Sequence, residues 1–391
     1  MAFGDFTVDR DTAKYVLGSG GSYVSYATDE PAFEFNSDGS YKGLLVEPAS
    51  TNQIRNGSGT GAVVGTPGTL PTNWAHISGG LTQEVVATGT ENGVAYVDLK
   101  FSGTATAGNM AVAFEPVNGI SASDGETWTA SAFLKEIDAT SNYNAIFFRA
   151  YNYDSVPSFV NATTGSTLTL TTDLQRYESA LTLSGATIAY SRPSILFTLT
   201  IGNSYDFTVR IGWAQYEESP IATSPIPTTS ASVTRVKDDI TLGSASSLIG
   251  QTEGTLYVEV DWRLGTGTLP FLLSANDGTG NNKFLIYVTS GDLYFLVTAG
   301  GSNVAANGGS ASGFSGIQKI ALAYANGDQE FYRNGSSFAT GTGSLAALAT
   351  LTDVDLGQGN NAANQVNMWI RAVALYPKRL SDAEAEALTT L

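Results

Sequence analysis

Apolar and polar side chains alternate with a period of two in many short runs of this chain. Over residues 94–101, Ala95, Val97, Leu99 and Phe101 point one way and Tyr96, Asp98 and Lys100 the other, the pattern of a half-buried strand. Phe207, Val209, Ile211 and Trp213 share a face in the same manner. So do Leu256, Val258, Val260 and Trp262, with Glu259 and Asp261 opposite. Further strands are predicted at 83–88, 110–114, 127–134, 145–151, 167–170, 177–183 and 194–201. Strands at 284–288 and 293–297 are joined by Ser290-Gly291. Asn334-Gly335 sets a second hairpin over 330–338, placing Phe331 opposite Phe338. The run 366–376 is apolar on both faces, as a central strand requires. Ser381, followed three residues later by Glu384, predicts a capped helix at the end of the sequence.

Short strands between turn signals specify an all-β protein built from two tandem antiparallel sandwiches of jelly-roll type. Pro220, Pro225 and Pro227 cannot sit in a central strand, so residues 220–235 read as a Pro/Ser/Thr linker. That leaves an N-terminal arm at 1–52, a first sandwich at 53–219 and a second at 236–391. The arm is expected to lie against the first sandwich or another subunit.

Glycine at 43 of 391 residues and only 14% charged residues suit a turn-rich β protein. The net charge of −17 makes nucleic acid and anionic membranes poor partners. With no cysteine there is no disulfide and no thiolate metal site. The first residues lack a basic and apolar leader, and no run of about 18 apolar residues exists, so neither a signal peptide nor membrane insertion is expected.

The segment GLLVEPASTN at 43–52 resembles a motif near the N-termini of bacteriophage tail and other virion structural proteins. GAVVGTPGTLPTNW at 61–74 is similar to the loop that opens their carbohydrate-binding-module-like jelly roll, and residues 212–235 to its close. Residues 255–391 resemble a laminin G-like, concanavalin A-type domain through Tyr332-Arg-Asn-Gly335, the strand 369–376 and Leu380-Ser-Asp-Ala-Glu384. The resemblance implies a virion component made in the host cytoplasm, held to other virion proteins through its arm. It implies a homotrimeric fibre or spike that adheres to host surface glycans, with a glycan depolymerase or a ligand-free capsid decoration protein as alternatives.

Candidate chemistry is sparse. His76 reads as a surface loop residue. Glycosidases of the concanavalin A type carry Glu-x-Asp-x-Glu on one strand. Here Glu259 and Asp261 match and Arg263 does not, so an acid/base partner is missing and the chain is expected not to be an enzyme. Glu217-Glu218 and Asp238-Asp239 read as solvated charges. Loops at 276–282, 303–309 and 355–361 supply oxygen donors suited to a glycan or to calcium. Asp277, Asn281, Asn282, Asn360, Asn361 and Trp74 are the candidate glycan contacts, and Asp277 and Asp355 the candidate calcium ligands. No cofactor is required. Tyr151, Tyr153 and Tyr190 are further aromatics of a kind that stacks on sugar rings.

Overall fold

A computed structural model describes residues 5–137, 142–262, 270–289, 291–310, 315–359 and 366–391. The described strands pair antiparallel throughout, and the chain divides into two compact units, each a β-sandwich.

One unit comprises Ser22–Val24 and Ser50–Arg235. Its first five-stranded sheet has the order Phe159–Leu168, Ala145–Tyr153, Tyr190–Thr198, Asn109–Ala113, Ala75–Ile77. The second runs Gln175–Thr182, Thr127–Glu136, Ser204–Glu217, Val94–Thr104, Thr82–Glu91. The alternation read from sequence places Val97, Leu99 and Phe101 against Ile146, Phe148, Ile195 and Phe197, all within 1% of full burial. Fully burying one such side chain contributes roughly 1.5–3 kcal/mol.

The predicted linker is not a free strap. Ile221, Ala222, Thr223, Ser224, Ile226 and Thr228 are buried and belong to this sandwich. Proline denies the segment a ladder, so side chains satisfy its amides instead. Thr223 N donates to Glu217 Oε2 at 3.1 Å and Ile226 N to Gln215 Oε1 at 2.7 Å. Thr228 Oγ1 donates to Ile54 O at 2.6 Å. Glu217, expected in solvent, is therefore fully buried, and it also accepts from Ser50 Oγ at 2.6 Å.

Asn52, the last residue of the GLLVEPASTN motif, is completely buried. Its amide donates to Ala214 O and Ile226 O, at 3.0 and 2.9 Å, and its carbonyl accepts from Ile54 N and Tyr216 N. The motif asparagine is a four-bond clasp.

The other unit comprises Met1–Gly21, Ser25–Ala49 and Val236–Leu391. One seven-stranded sheet has the order Thr7–Asp9, Asp239–Leu242, Asp353–Leu356, Phe271–Asn276, Lys283–Thr289, Asp292–Ala299, Ser302–Ser310. The other runs Ser336–Gly341, Asp328–Arg333, Gly316–Ala325, Glu253–Trp262, Met368–Tyr376, Tyr41–Val46, Phe33–Phe35. The arm thus does not stand apart. Its strands extend both sheets, and Phe6, Val8, Leu44 and Val46 enter the core. Strand Met368–Tyr376 lies between Glu253–Trp262 and Tyr41–Val46, sends Met368, Ile370 and Val373 into the core and packs Ala372, Ala374 and Tyr376 with Ala385 on its other face.

Three smaller differences have local causes. Residues 303–309, expected as a loop, lie in the Ser302–Ser310 strand. A Cβ at Gly308 would come within 2.6 Å of the Tyr294 ring, so that glycine allows close strand packing. In the Asn334-Gly335 hairpin a bulge sets Phe331 opposite Ala339, yet the Phe331 and Phe338 rings still meet edge to face at 6.0 Å. Asp238 is not solvated. It is 1% exposed and takes Arg10 Nη1 at 2.9 Å and Lys14 Nζ at 2.6 Å, while Glu47 takes Lys14 Nζ at 3.0 Å.

The helix Asp382–Thr389 begins as the sequence predicts. Glu384 N donates to Ser381 Oγ, and Ser381 N donates to Glu384 Oε2 at 2.9 Å. Ala385 packs with Tyr257, Ala321, Tyr332 and Leu380.

Candidate functional site

The strand Ala145–Tyr153 has a strict two-residue period. Ile146, Phe148, Ala150 and Asn152 turn into the sandwich and are buried, leaving Phe147, Arg149, Tyr151 and Tyr153 on the outer face. Register carries the pattern sideways. Tyr153 lies opposite Tyr190 on one neighbour and Phe159 on the other, and Tyr151 lies opposite Arg192 and Ala162. Three tyrosines singled out in the sequence therefore share one face of one sheet. Phe159, Arg149 and Arg192 join them. The sequence reading missed these three, although Arg149 has the same strand parity as Tyr151.

This face is partly open. Phe159 is 59% exposed, and Tyr151, Tyr153 and Tyr190 are half-buried. The Phe159 ring stands 6.3 Å from Tyr151 and 6.0 Å from Tyr153, tilted and edge to face respectively. Arg149 holds its guanidinium carbon 4.9 Å from the centre of the Tyr151 ring. Burial pushes the Tyr151 hydroxyl above the usual phenol range, while the Arg149 and Arg192 charges pull it back. Small side chains border the rings, Ala162 beside Tyr151 and Ser194 beside Arg149. The result is a ring-lined, cationic shelf on a rigid sheet. Such a surface can stack an apolar sugar face and hydrogen-bond its substituents.

The predicted contacts fare differently. Trp74 is 7% exposed, its ring packs edge to face on Phe114 at 4.9 Å, and Nε1 donates to Asn56 O at 2.8 Å. A ring enclosed in this way offers no face to a sugar, so Trp74 is a core residue. Asp277 and Asn282 do come together, with Asn282 Nδ2 donating to Asp277 Oδ2 at 2.7 Å. Asp277 Oδ1 takes the amide and hydroxyl of Thr279, and Asn282 Oδ1 takes Gly300 N and Ala349 N. Both side chains are committed to shaping the loop. Asn281 is exposed beside them. Asn360 and Asn361 lie outside the described residues.

Asp355 is 4% exposed, accepting from Thr241 Oγ1 at 2.8 Å and Asn276 Nδ2 at 2.7 Å. Burial, with the nearby charges of Asp239 and Asp353, pushes its carboxyl up to about 6 against those hydrogen bonds. Among the described residues no three His, Asp or Glu side chains converge to hold an ion.

His76 is not on a loop. It sits in the Ala75–Ile77 strand with its ring 5.2 Å from Phe101, and burial lowers its pKa. Glu259 pairs with Arg371, Nε to Oε1 at 2.8 Å, and accepts from the Tyr257 hydroxyl. Asp261 stands two residues on, and Arg263 falls outside the described residues.

No family model and no curated protein matches the chain. Among solved structures it is similar to the CBM40 module of Ruminococcus gnavus IT-sialidase, bound to alpha2,3 sialyllactose. Identity there is 22% over 37% of this chain and 86% of that one, with a TM-score of 0.31. Mouse laminin alpha1 domains LG4-5 align over 66% of this chain and 86% of theirs, at 10% identity and a TM-score of 0.26. Trypanosoma rangeli sialidase aligns over 98% of this chain and 76% of its own, at 12% identity and a TM-score of 0.33. A sialidase among these structures stands against the expectation that the chain is not an enzyme, and a likeness at this identity and TM-score assigns the chain no activity. The all-β sandwich assignment itself rests on the strand pairing described above.

Proposed function

We propose that the protein binds carbohydrate through the Tyr151, Tyr153, Tyr190 and Phe159 face of its first sandwich, and that it does so as a surface adhesin of a bacteriophage virion. The supporting observation is the shared face itself. Four rings and two guanidiniums lie outward on adjacent strands of one sheet while the intervening positions fill the core. The virion setting is supported by the resemblance of residues 43–52, 61–74 and 212–235 to phage structural proteins. Display as a homotrimeric fibre or spike would follow from that resemblance. A shallow site of this kind binds at about 1 mM, or about −4 kcal/mol, and many copies on a particle raise the effective affinity.

The test is host adsorption of virions carrying Tyr151→Ala, beside glycan binding by the isolated protein. Adsorption should fall by about tenfold or more when one stacking ring of a multivalent site is lost. Unchanged adsorption and an unchanged glycan profile would remove this face as the site. Particles that adsorb normally without the protein would instead make it a decoration of the capsid.

A further inference from the structure

We infer that this face takes an acidic sugar, with Arg149 and Arg192 receiving its carboxylate; the inference rests on the carbohydrate reading above. The chain carries 19 basic residues against 36 acidic ones, so acidic groups outnumber the cations they could pair with. Arg55 is matched with Glu115, Arg210 with Asp98 and Glu91, Arg371 with Glu259, and Arg379 with Asp328, while Arg176 donates to the neutral oxygens of Thr223 and Ser131. Arg149 and Arg192 have no carboxylate within ion-pair distance among the described residues.

Arg149 Nε is buried and makes no hydrogen bond. Arg192 donates Nε to the main-chain oxygen of Glu115, which fixes its direction. The Glu115 carboxylate is closed to Arg192, because Arg55 holds both oxygens, through its amide at 2.6 Å and its guanidinium at 2.7 and 3.0 Å.

Register places the two arginines on the same face of adjacent strands. Arg149 lies opposite Ser194 and Arg192 opposite Tyr151, which makes the arginines diagonal neighbours on adjacent strands. Diagonal Cβ atoms stand about 7–8 Å apart, within reach of a shared anion for two long side chains. The planar fork of arginine matches a carboxylate in two parallel hydrogen bonds. The rings of Tyr151, Tyr153 and Phe159 continue from that point and supply the stacking surface for the pyranose bearing the acid. A neutral sugar would satisfy the rings and leave Arg149 without an anion.

The experiment uses the full-length protein with a uronic-acid oligosaccharide and its carboxyl-reduced counterpart, compared by calorimetry at low salt. The acidic probe should bind about tenfold more tightly or better, a difference that added salt reduces. Arg149→Gln and Arg192→Gln should each bring the ratio of the two affinities most of the way towards one, and a cooperative thermal unfolding transition shows that the variants fold. Tyr151→Ala should weaken both probes. Equal binding of the two probes, still sensitive to Tyr151→Ala, would overturn the acidic-sugar inference and leave the carbohydrate reading standing. Tighter binding of a sulfated oligosaccharide than of the uronic one would overturn the carboxylate in favour of a sulfate. Indifference of both probes to Tyr151→Ala would remove the face, and both readings with it.

Discussion

Lys14 and Asp238 are separated by 224 residues of sequence and meet at 2.6 Å with both side chains essentially inaccessible to water. Arg10 closes on the other carboxylate oxygen, and Glu47 takes Lys14 from the opposite side and donates its own amide to Asp238. Two cations and two anions cancel in a place where any one of them alone would be costly. This is what the glutamate of GLLVEPASTN does in the fold. It completes a neutral buried cluster that fastens the first residues of the chain to the strand Tyr41–Val46 and the start of the second sandwich.

Removing one member should therefore be severe. Asp238→Asn leaves Lys14 and Arg10 against a single carboxylate, and a destabilisation of about 3–5 kcal/mol is expected. Denaturant unfolding measures it. The Lys14→Met/Asp238→Asn double variant restores neutrality and should recover part of the loss.

Asn52→Asp tests the clasp in the first sandwich. The exchange keeps size and shape but turns a donor amide into an acceptor facing Ala214 O and Ile226 O. A loss of about 3 kcal/mol or more is expected from two buried carbonyls left without donors. Thermal unfolding should shift, with the 221–228 segment becoming a new site of proteolysis. In the native protein that segment should resist, and chymotrypsin should cut first at the exposed Phe159.

Asp355 gives a pH dependence with a definite sign. Its folded carboxyl titrates near 6, above the usual aspartate value of about 3.9, so folding favours the protonated form. This favourable contribution is complete below about pH 4 and is lost as the pH rises through about 6. Asp355→Asn should be more stable than the native protein at pH 7, by up to about 2–3 kcal/mol, and equal to it near pH 3.5. Equal stability at both pH values would mean that the carboxyl titrates normally.

Ser381→Ala removes the oxygen that caps the helix Asp382–Thr389. About 1 kcal/mol should be lost, read as a lower denaturant midpoint. The Tyr332 hydroxyl still reaches Asp382 at 2.7 Å, so the helix should remain docked.

The same local rules decide what could be read from sequence. Period-two alternation places Val97, Leu99 and Phe101 in the core, and a capping pair marks the helix, because both depend on neighbours a few residues away. The parity of Arg149, Tyr151 and Tyr153 was legible too, since Ala150 and Asn152 must then face inward. Trp74 was not, because a loop has no period to reveal which way its side chain turns. Glu217 and Asp238 looked solvated because their partners, Ser50 and Lys14, lie far off in sequence. For the same reason the arm looked separate. Nothing near residue 44 announces that it will pair with Ile370.

That pairing has a consequence for the order in which the chain is born. Synthesis delivers Leu44, Leu45 and Val46 well before the strand Met368–Tyr376 that pairs with them. Residues 50–235 emerge between the two and contain both five-stranded sheets, so they can reach their native form while translation continues. Through that interval the nascent Tyr41–Val46 strand can pair with Phe33–Phe35 on one side, while its other edge waits unpaired, the kind of edge that associates with other chains. Lys42 and Glu47 flank its apolar run Leu44–Val46, and charges so placed hold a waiting strand in solution until its partner leaves the ribosome.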